Sequence, residues 1–520
     1  SMLRHEGHDV LERYGHITGL EHVLVSQDPH AARDALRIIR DRTSDIKELY
    51  DARMTLERVS KSVPTKDVFA VIRNNIHYTP AEYDGTIPSL VERISKREES
   101  VWHRYFADVE VPLALEYKPD LYGISINDEK QILPSCILAA MVKEACPETL
   151  VVLGGNVWSK MGDAFNLPEF AGLFDFWDAI VYSEGFEPLA ELTETLDPCY
   201  VSGLVWRSHG DVIVNPISHK PKEFSTLRTP SYDENTRIWA ADNVMPLYTA
   251  SNCLHQCSYC AISGGSETFL GDVRDIPSMQ IAQMMKELAL LGNRFDITSE
   301  TFLIGKQLAL GRALREIGHT ATWQCYLTIT NSLLSKTTCK ALYDAGCRAV
   351  QLGLETLSSE SLMQENKRWN SPENYGQILQ NLAEAGIQVH VFIIVGIPGE
   401  RMTDTLKWLP FIERYGEHIV TIKSARYQLT RMSPEERSGA REDLIEVLPD
   451  TAPLRLNRNF LYRDEHGHGS LKGLKNVTAV RTLIDESCRR QWGYAVTSTL
   501  PWNANRGRYT IVELKEMARK

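Results

Sequence analysis

Three cysteines within eight positions are the residues of this sequence best suited to hold a metal centre. They are Cys253, Cys257 and Cys260, a C-x3-C-x2-C spacing that directly follows an apolar, strand-like segment. Three thiolates on one loop can bind three irons of a four-iron cube, and the fourth iron then keeps an open coordination position for chemistry. A structural zinc site needs four closed ligands, usually from two C-x2-C pairs, and no second pair follows here.

The composition is compatible with a metal site in a reducing compartment. Ten cysteines among 520 residues are too few for a disulfide scaffold. The 57 basic and 68 acidic side chains give a net charge of -11, which argues against nucleic-acid binding through bulk attraction to phosphates. The longest apolar strand-like run, 389–397, is far too short to span a membrane, and the N-terminus lacks a secretory signal. We therefore expect a cytoplasmic protein that binds neither nucleic acid nor membrane.

Strand and helix signals alternate in the middle of the chain, which predicts a first α/β domain. Strand-like segments at 120–126, 149–155 and 179–183 alternate with helical segments at 134–146 and 188–196. This spacing predicts a parallel, doubly wound sheet. Ligands of such sheets lie beyond the carboxyl ends of the strands, where several glycines of this segment fall.

The same alternation returns between about 244 and 413 and predicts a second α/β domain. Its strand-like segments lie at 246–250, 295–298, 321–329, 349–354 and 389–395. Five or six strand–helix units suit a partial (β/α)6 barrel. Between the two domains, short strand-like segments at 203–207 and 211–214 followed by prolines indicate a hairpin and a linker.

A chain of this length is expected to form several domains. Residues 1–105 carry helix-like stretches and few strand signals. We therefore predict a helical N-terminal region at 1–105, a Rossmann-like domain at 106–225, a partial barrel at 226–425 and a C-terminal substrate or capping region at 426–520.

The cysteine motif, with Tyr259 directly before its last cysteine, resembles the signature of the radical S-adenosylmethionine (SAM) superfamily. The resemblance implies that Cys253, Cys257 and Cys260 ligate a [4Fe-4S] cluster whose open iron binds the amino and carboxylate groups of SAM. It also implies that the backbone at Tyr259 contacts the adenine, although the ring could equally be a packing aromatic. An electron donor such as flavodoxin or ferredoxin is implied as a partner.

Two later segments resemble the family in the same order. Residues 297–302 resemble the strand end whose acidic residue receives the SAM ammonium, which makes Glu300 the candidate for a charge-assisted hydrogen bond. Residues 350–356 resemble a barrel strand of cobalamin-type members, and alternation places Gln351, Gly353 and Glu355 on one face. If that face is the interior, Glu355 needs a partner such as a ribose hydroxyl or Lys367.

A third segment, 395–400, resembles the late-strand motif in which the backbone approaches the adenosine. Gly396 and Pro398 are its candidate contacts, since glycine permits a close approach. For all three segments, a purely structural interpretation without a contact to SAM stays open. Glu300 could be a surface charge, Glu355 part of a structural ion pair, and 395–400 a strand-to-helix turn.

The sheet at 118–197 resembles the cobalamin-binding domain that precedes many radical SAM barrels. The strand ends expected to line the cofactor are Ile126, Asn127, Gly154, Gly155, Ser183 and Glu184. The loop 127–134 contains no histidine, so it lacks the D-x-H-x-x-G pattern that ligates cobalt from below. A Rossmann-like sheet that only braces the barrel or binds substrate is the alternative.

The resemblance implies a cobalamin-dependent methyltransferase acting on an unactivated carbon or phosphorus of a natural-product or peptide substrate. In such members methylcobalamin delivers the methyl group, and SAM both remethylates cobalt and generates the 5′-deoxyadenosyl radical. A cyclisation, epimerisation or other rearrangement is the alternative, as is a non-catalytic iron–sulfur protein. Substrate contacts are expected from the barrel mouth and from the segment after about 420, where Tyr427, Arg431, Trp492 and Trp502 stand out.

Overall fold

The computed structural model describes residues 2–40, 46–72, 75–81, 83–218, 222–232, 244–262, 273–439, 443–463, 477–484 and 487. Contacts divide the chain into two units. The first unit combines Ser1–Val71, Asn75–Lys222 and Pro449–Arg458, and the second combines Ile72–Asn74, Glu223–Leu448 and Asn459–Lys520. The four domain boundaries inferred from the sequence stay a prediction.

Helices dominate the beginning of the first unit, as predicted. The helices of this unit are Met2–His5, Gly15–Gln27, Pro29–Arg40, Ile46–Lys61, Ile87–Ser95, His103–Tyr105, Val111–Tyr117, Ile132–Ala145 and Phe186–Thr195. The prediction overlooked two short strands, β1 (Val68–Ile72) and β2 (Asn75–Thr79). Their sequences, VFAVI and NIHYT, are rich in the β-branched and aromatic residues that favour strands.

The first sheet has five strands in consecutive order, and the predicted α/β class is confirmed. The strands are β3 (Leu121–Ser125), β4 (Leu150–Gly154), β5 (Ala179–Val181), β6 (Leu204–Ser208) and β7 (Asp211–Val214). β3, β4 and β5 are parallel. β6 and β7 form the predicted hairpin, which extends the sheet with antiparallel pairing. The prediction of a doubly wound sheet is wrong, because these five strands show no reversal of order.

The two parallel crossovers of this sheet are built differently. β3 leads to β4 through the helix Ile132–Ala145, which has buried residues on most of its surface. β4 leads to β5 through three 3-10 helices rather than an α-helix. Trp158 fills the space beneath this connection, with its ring centroid 6.5 Å from those of Phe170 and Trp177. Aromatic packing therefore replaces the usual crossover helix here.

The second sheet has six parallel strands, and its consecutive order is that of the predicted partial barrel. The strands are β8 (Val244–Leu247), β11 (Arg294–Ile297), β12 (Thr322–Tyr326), β13 (Cys347–Glu355), β14 (Gln388–Val395) and β15 (Thr421–Arg426). The prediction overlooked β15, whose sequence TIKSAR has one large apolar residue. Two small antiparallel pairs accompany this sheet, β9 (Ala250–Ser251) with β10 (Arg274–Asp275), and β16 (Ile445–Val447) with β17 (Phe460–Tyr462).

The described α-helices of the second unit follow its strands along the chain. They are Ser278–Glu287, Ile304–Glu316, Lys336–Ala345, Ser359–Gln364, Pro372–Glu384, Met402–Leu406, Trp408–Tyr415 and Pro434–Ser438. Lys336–Ala345 contacts β13 and Pro372–Glu384 contacts β14. Val350, Leu352 and Leu354 on β13 are completely buried. The opposite face of β13, called the inner face below, carries Gln351 and Gly353.

Among the described helices of both units, none has the length and apolarity that would be needed to cross a membrane.

Candidate functional site

The cysteine loop, residues 252–260, begins directly after β9 and is anchored at its start. The Oγ of Ser299, at the end of β11, accepts hydrogen bonds from the backbone N–H groups of Thr249 at 3.0 Å and Ala250 at 2.9 Å. Asn252 then adopts a left-handed conformation with φ of 64°, and its side-chain oxygen accepts from the N–H of Cys253 at 2.9 Å. Asparagine is among the few non-glycine residues that tolerate this conformation.

The three thiols of the loop lie in a shielded environment. Cys257 is buried, and Cys253 and Cys260 are half-buried. Burial raises the pKa of the Cys253 thiol and raises the pKa of Cys257 to about 12. The N–H of His255 donates to the Cys253 sulfur at 3.5 Å. Within the described residues, no three His, Cys, Asp or Glu side chains gather as ligands of one metal ion.

A buried ion pair lies beside this loop. Lys367 Nζ is paired with Glu355 Oε1, and about a tenth of each side chain is exposed, 11% and 9%. The Tyr259 hydroxyl donates to the same carboxylate oxygen at 3.1 Å. Burial would lower the pKa of Lys367, but the charge and hydrogen bond of Glu355, together with the charges of Cys257 and Cys260, outweigh burial and raise that pKa above its ordinary value. Lys367 is thus the partner that a buried Glu355 requires.

A bulge at the end of β13 creates the space for this ion pair. The pairing register with β14 shifts between Gly353 and Glu355, and Glu355 has a positive φ of 61°. A Cβ on Gly353 would lie only 2.7 Å from Lys367 Nζ, so a larger residue there would displace the ion pair from its present position. Gln351 and Gly353 share the inner face by simple alternation, as predicted. Glu355 reaches that side through the bulge.

Glu300 is exposed at the end of β11. Its charge is close enough to Cys253 to contribute to the raised pKa of that thiol, after burial and the effect of Cys260. The structure therefore brings Glu300 and the cysteine loop to the same edge of the sheet.

Gly396 and Pro398 follow β14 and are both buried. Gly396 has a φ of 83°, and its carbonyl accepts a hydrogen bond from the Tyr462 hydroxyl at 2.7 Å. A Cβ at this position would lie 2.7 Å from Val477. The α-carbon of Gly396 therefore faces protein side chains, and an adenosine contact at this residue stays a prediction.

Glu400, which ends this segment, ties it to the end of β13. The hydroxyl of Thr356 donates to Glu400 Oε1 at 2.7 Å, and Glu400 is only 2% exposed. Burial raises the pKa of Glu400 to about 7, although the hydroxyls of Thr356 and Thr405 lower it. The neighbouring carboxylates Asp404 and Glu365 raise it further. This carboxyl is therefore neutral in the folded protein at mildly acidic pH.

We expect Glu400 to make stability depend on pH. Because the folded protein holds this proton more tightly than the unfolded chain, its contribution is full below about pH 4.5 and is lost as pH rises towards 7, on the order of 3 kcal/mol. Glu400→Gln keeps the shape but does not titrate. Denaturant unfolding should show the variant more stable than wild type at pH 8 and nearly equal at pH 5. An equal difference at both pH values would contradict this assignment.

The strand ends of the first sheet also bring their predicted residues together. Ile126 donates its N–H to the carbonyl of Gly154 at 2.8 Å. Gly155 has a φ of 98°, and a Cβ there would lie 2.6 Å from the backbone nitrogen of Ile126. Asn127 is exposed, whereas Ser183 is buried. Gly155 therefore allows the turn after β4 to pack closely against the backbone of Ile126.

Hydrogen bonds to the backbone fix Glu184 and the loop 127–134, which contains no histidine. The carboxylate of Glu184 accepts from the N–H of Lys222 at 2.8 Å. In the loop, the Gln131 side chain accepts from the N–H of Asn127 at 2.9 Å, and Glu129 accepts from the N–H of Leu456 at 2.9 Å. The loop thus presents amide and carboxylate groups.

Sequence reasoning missed several residues that contact the cysteine loop. His255 bonds to Thr328 at 2.8 Å and stacks on Trp369 with ring centroids 3.9 Å apart. Glu365 is completely buried against the same loop. Of the residues expected to contact substrate, Tyr427 is buried and donates to the carboxylate of Glu435, and Arg431 is buried. Trp492 and Trp502 lie outside the described residues.

Comparison with known proteins identifies the class of the second unit. Residues 247–411 match the Radical SAM superfamily. This segment is therefore a radical SAM domain, and the resemblance inferred from the cysteine motif is confirmed.

The fold of the chain is similar to those of two solved radical SAM enzymes. It is similar to the radical SAM methyltransferase TsrM from Kitasatospora setae, solved with cobalamin and a [4Fe-4S] cluster bound, with a TM-score of 0.58 and 15% identity over 80% of this chain and 92% of that chain. It is also similar to the cobalamin-dependent radical enzyme OxsB, solved with aqua-cobalamin and SAM bound, with a TM-score of 0.56 and 14% identity over 77% of this chain and 60% of that chain. At these identities the similarity establishes the fold.

Curated methyltransferases are among the proteins that are similar in sequence. The bacteriochlorophyllide d C-8(2)-methyltransferase of Chlorobaculum tepidum is 29% identical over 154 residues, which are 28% of this chain. The match spans about a third of that relative, 34% of its length.

Proposed function

We propose that this chain is a cobalamin-dependent radical SAM methyltransferase acting on an unactivated carbon or phosphorus of a natural-product or peptide substrate. The observation that carries the proposal is the cysteine loop, whose shielded thiols include Cys253, close to the charges of Glu300 and Lys367, and Cys257, close to those of Glu355 and Lys367. In a [4Fe-4S] cluster each thiolate binds a different iron, so the three sulfurs need not converge on one point. The donor set therefore fits the cluster.

The residues around the loop have separable roles in this proposal. Cys253, Cys257 and Cys260 hold the cluster, and the positive charge of Lys367 offsets their negative charge, since it lowers the pKa of both Cys253 and Cys257. Glu300 receives the ammonium of SAM. Tyr259, Gln351 and Glu355 shape the nucleoside side of the site, together with the turn at Gly396 and Pro398. Bound together, the cluster, SAM and cobalamin would supply radical and methyl-transfer chemistry.

The role of Glu300 gives a first test. Glu300→Gln removes the negative charge but keeps the size, so SAM affinity should fall by about 1.5–3 kcal/mol through loss of a charge-assisted hydrogen bond. Calorimetric titration of the iron-loaded protein with SAM measures this change. Glu316→Gln, at an exposed helix end, is the control and should bind SAM normally. Unchanged affinity in Glu300→Gln with normal iron content would show that Glu300 is a surface charge.

The first sheet supplies the proposed cobalamin site. Its carboxyl edge carries Ile126, Asn127, Gly154, Gly155, Ser183 and Glu184. The exposed amide of Asn127 and the small Gly154–Gly155 turn support this assignment, since a flat ligand needs an edge that is free of bulky side chains. A sheet that only braces the barrel or binds substrate is the competing proposal.

We expect cobalamin to bind without a protein imidazole from the 127–134 loop, because that loop has no histidine. Electron paramagnetic resonance of the Co(II) state should therefore show no superhyperfine splitting from such a nitrogen. Splitting of this kind would assign the role to a histidine elsewhere. If the protein takes up no cobalamin when expressed or refolded with it, the first sheet has only a structural role in bracing the barrel. That result would favour the rearrangement proposal.

The inner face of the barrel is the proposed place for substrate. Tyr326 is 40% exposed there, and its ring centroid lies 6.0 Å from that of Phe392. Lys423 Nζ lies 5.8 Å from the Phe392 ring on the neighbouring strand. These side chains would contact a substrate held beside SAM.

The reaction type is decided by product analysis. Reduced, cofactor-loaded protein that forms S-adenosylhomocysteine together with a methylated product supports methyl transfer. SAM cleavage without S-adenosylhomocysteine supports a cyclisation, epimerisation or rearrangement. Intact SAM under reducing conditions would support a non-catalytic iron–sulfur protein.

A further inference from the structure

The segment 365–369, which follows the helix Ser359–Gln364, contacts the cysteine loop at several successive positions. The N–H of Ser258 donates to the carbonyl of Glu365 at 3.2 Å, and the Ser258 hydroxyl donates to the Glu365 carboxylate. The side-chain amide of Asn366 donates to the carbonyl of Gln256 at 2.8 Å. Both contacts fall on residues that lie next to Cys257.

Two further contacts involve Tyr259 and His255 of the loop. Lys367 Nζ donates to the Tyr259 hydroxyl at 3.4 Å, next to Cys260. His255 stacks on Trp369 with an angle of 23° between the ring planes. All four loop residues at positions 255, 256, 258 and 259 therefore have a partner in the segment 365–369. None of the cysteines themselves is needed for these contacts.

We propose that the segment 365–369 is a positioning clamp that holds the cysteine loop in its cluster-binding shape before metal arrives and retains the cluster afterwards. The inference rests on the proposed [4Fe-4S] site and assigns a role to Glu365, Asn366 and Trp369, which are positioning residues because they touch the loop and not the thiols. A loop fixed in advance loses little conformational entropy when its thiolates bind iron.

Asn366 offers the sharpest variant, because it has two separable properties. Its φ is 53°, a left-handed conformation that glycine also adopts readily, and its amide donates to Gln256. Asn366→Gly keeps the backbone conformation and removes the donor. Asn366→Asp keeps the side-chain shape and removes the donor as well. Asn374→Ala is the matched control, since the Asn374 amide bonds to Asn331 at 3.1 Å and does not contact the loop.

Two measurements on the full chain test the clamp. In metal-free protein, hydrogen exchange of the peptide containing Ser258 should be faster in Asn366→Gly than in wild type. In iron-loaded protein, challenge with a ferrous chelator should remove iron about tenfold faster, which corresponds to about 1.4 kcal/mol. Asn366→Asp should behave like Asn366→Gly, and Asn374→Ala should behave like wild type.

The possible outcomes separate the clamp from the proposed function. The clamp alone is overturned if the wild-type protein takes up iron and Asn366→Gly shows the same hydrogen exchange and the same iron retention as wild type. A defect in Asn366→Ala that Asn366→Gly restores also overturns it, because only the backbone turn would then matter. Wild type that takes up no iron overturns the proposed cluster site and the clamp together. Faster exchange and faster iron loss in both donor-free variants, with unchanged unfolding midpoints, support the clamp.

Discussion

Replacement of Cys253, Cys257 or Cys260 by alanine is expected to abolish the iron–sulfur cluster. Each thiolate is the only protein ligand of one iron in the proposed site, so its loss leaves that iron without protein ligation. Iron and sulfide content after anaerobic reconstitution should fall to background in each single variant, and SAM cleavage should be lost with it. The fold should survive, because the cores of both units are apolar and independent of the loop.

Cys199→Ala is the control for these variants, because Cys199 is exposed and far along the chain from the loop. It should reconstitute like wild type. Normal iron content in all three loop variants would remove the basis for the proposed cluster. A loss of iron in Cys199→Ala would indicate that iron binds nonspecifically to thiols.

Breaking the buried ion pair is expected to have the largest effect on stability. Glu355→Gln leaves Lys367 as a buried charge without its main partner, and Lys367→Met does the same to Glu355. Each single variant should lower the free energy of unfolding by about 3–5 kcal/mol, whereas the double variant should regain most of this loss. Denaturant unfolding of the metal-free protein measures all three.

The double variant also separates a structural role of Glu355 from a role in binding SAM. If the pair is only structural, SAM affinity returns with stability in Glu355→Gln/Lys367→Met. If Glu355 also contacts the nucleoside, stability returns and SAM affinity stays low. Single variants that are as stable as wild type would show that the ion pair is not buried in solution.

Much of the barrel could be predicted because its strands are continuous apolar runs. The predicted strand 389–395 and the observed β14 differ by one residue at the start, and β13 extends the predicted 349–354 by one or two residues at each end. Both strands are buried on their outer face, which makes local hydrophobicity a sufficient signal. β15 lacks that signal, since Lys423 and Ala425 are exposed and the strand forms the sheet edge.

The first sheet shows what local pattern cannot determine. The strands and the hairpin were predicted close to their observed positions, but the order of the strands was not. Order depends on which strands pair over long distances, and the same alternation of strands and helices fits sheets with and without a reversal. The absence of an α-helix between β4 and β5 also could not be predicted from local pattern, because aromatic packing around Trp158 and Phe170 determines that connection.

The residues of the candidate site also fall into those that could be proposed from sequence and those that could not. The cysteines could be proposed from sequence, because thiol spacing carries chemical meaning on its own. The resemblance to the radical SAM family singled out Glu300 and Glu355, and a buried Glu355 pointed to Lys367 as its partner. His255, Glu365 and Trp369 could not be proposed, since their importance lies in contacts across more than a hundred positions. The only indirect signal was Lys367, which the sequence analysis named as a partner for Glu355 and which lies next to Asn366.

We propose that the cysteine loop holds a redox-active [4Fe-4S] cluster that binds SAM. Electron paramagnetic resonance of the anaerobically reconstituted, dithionite-reduced full chain, recorded with and without SAM, tests this proposal most directly. We expect about four irons and four sulfides per chain and a reduced-cluster signal that changes when SAM is added. A protein that retains iron but gives no such signal, or a signal that SAM leaves unchanged, would contradict it.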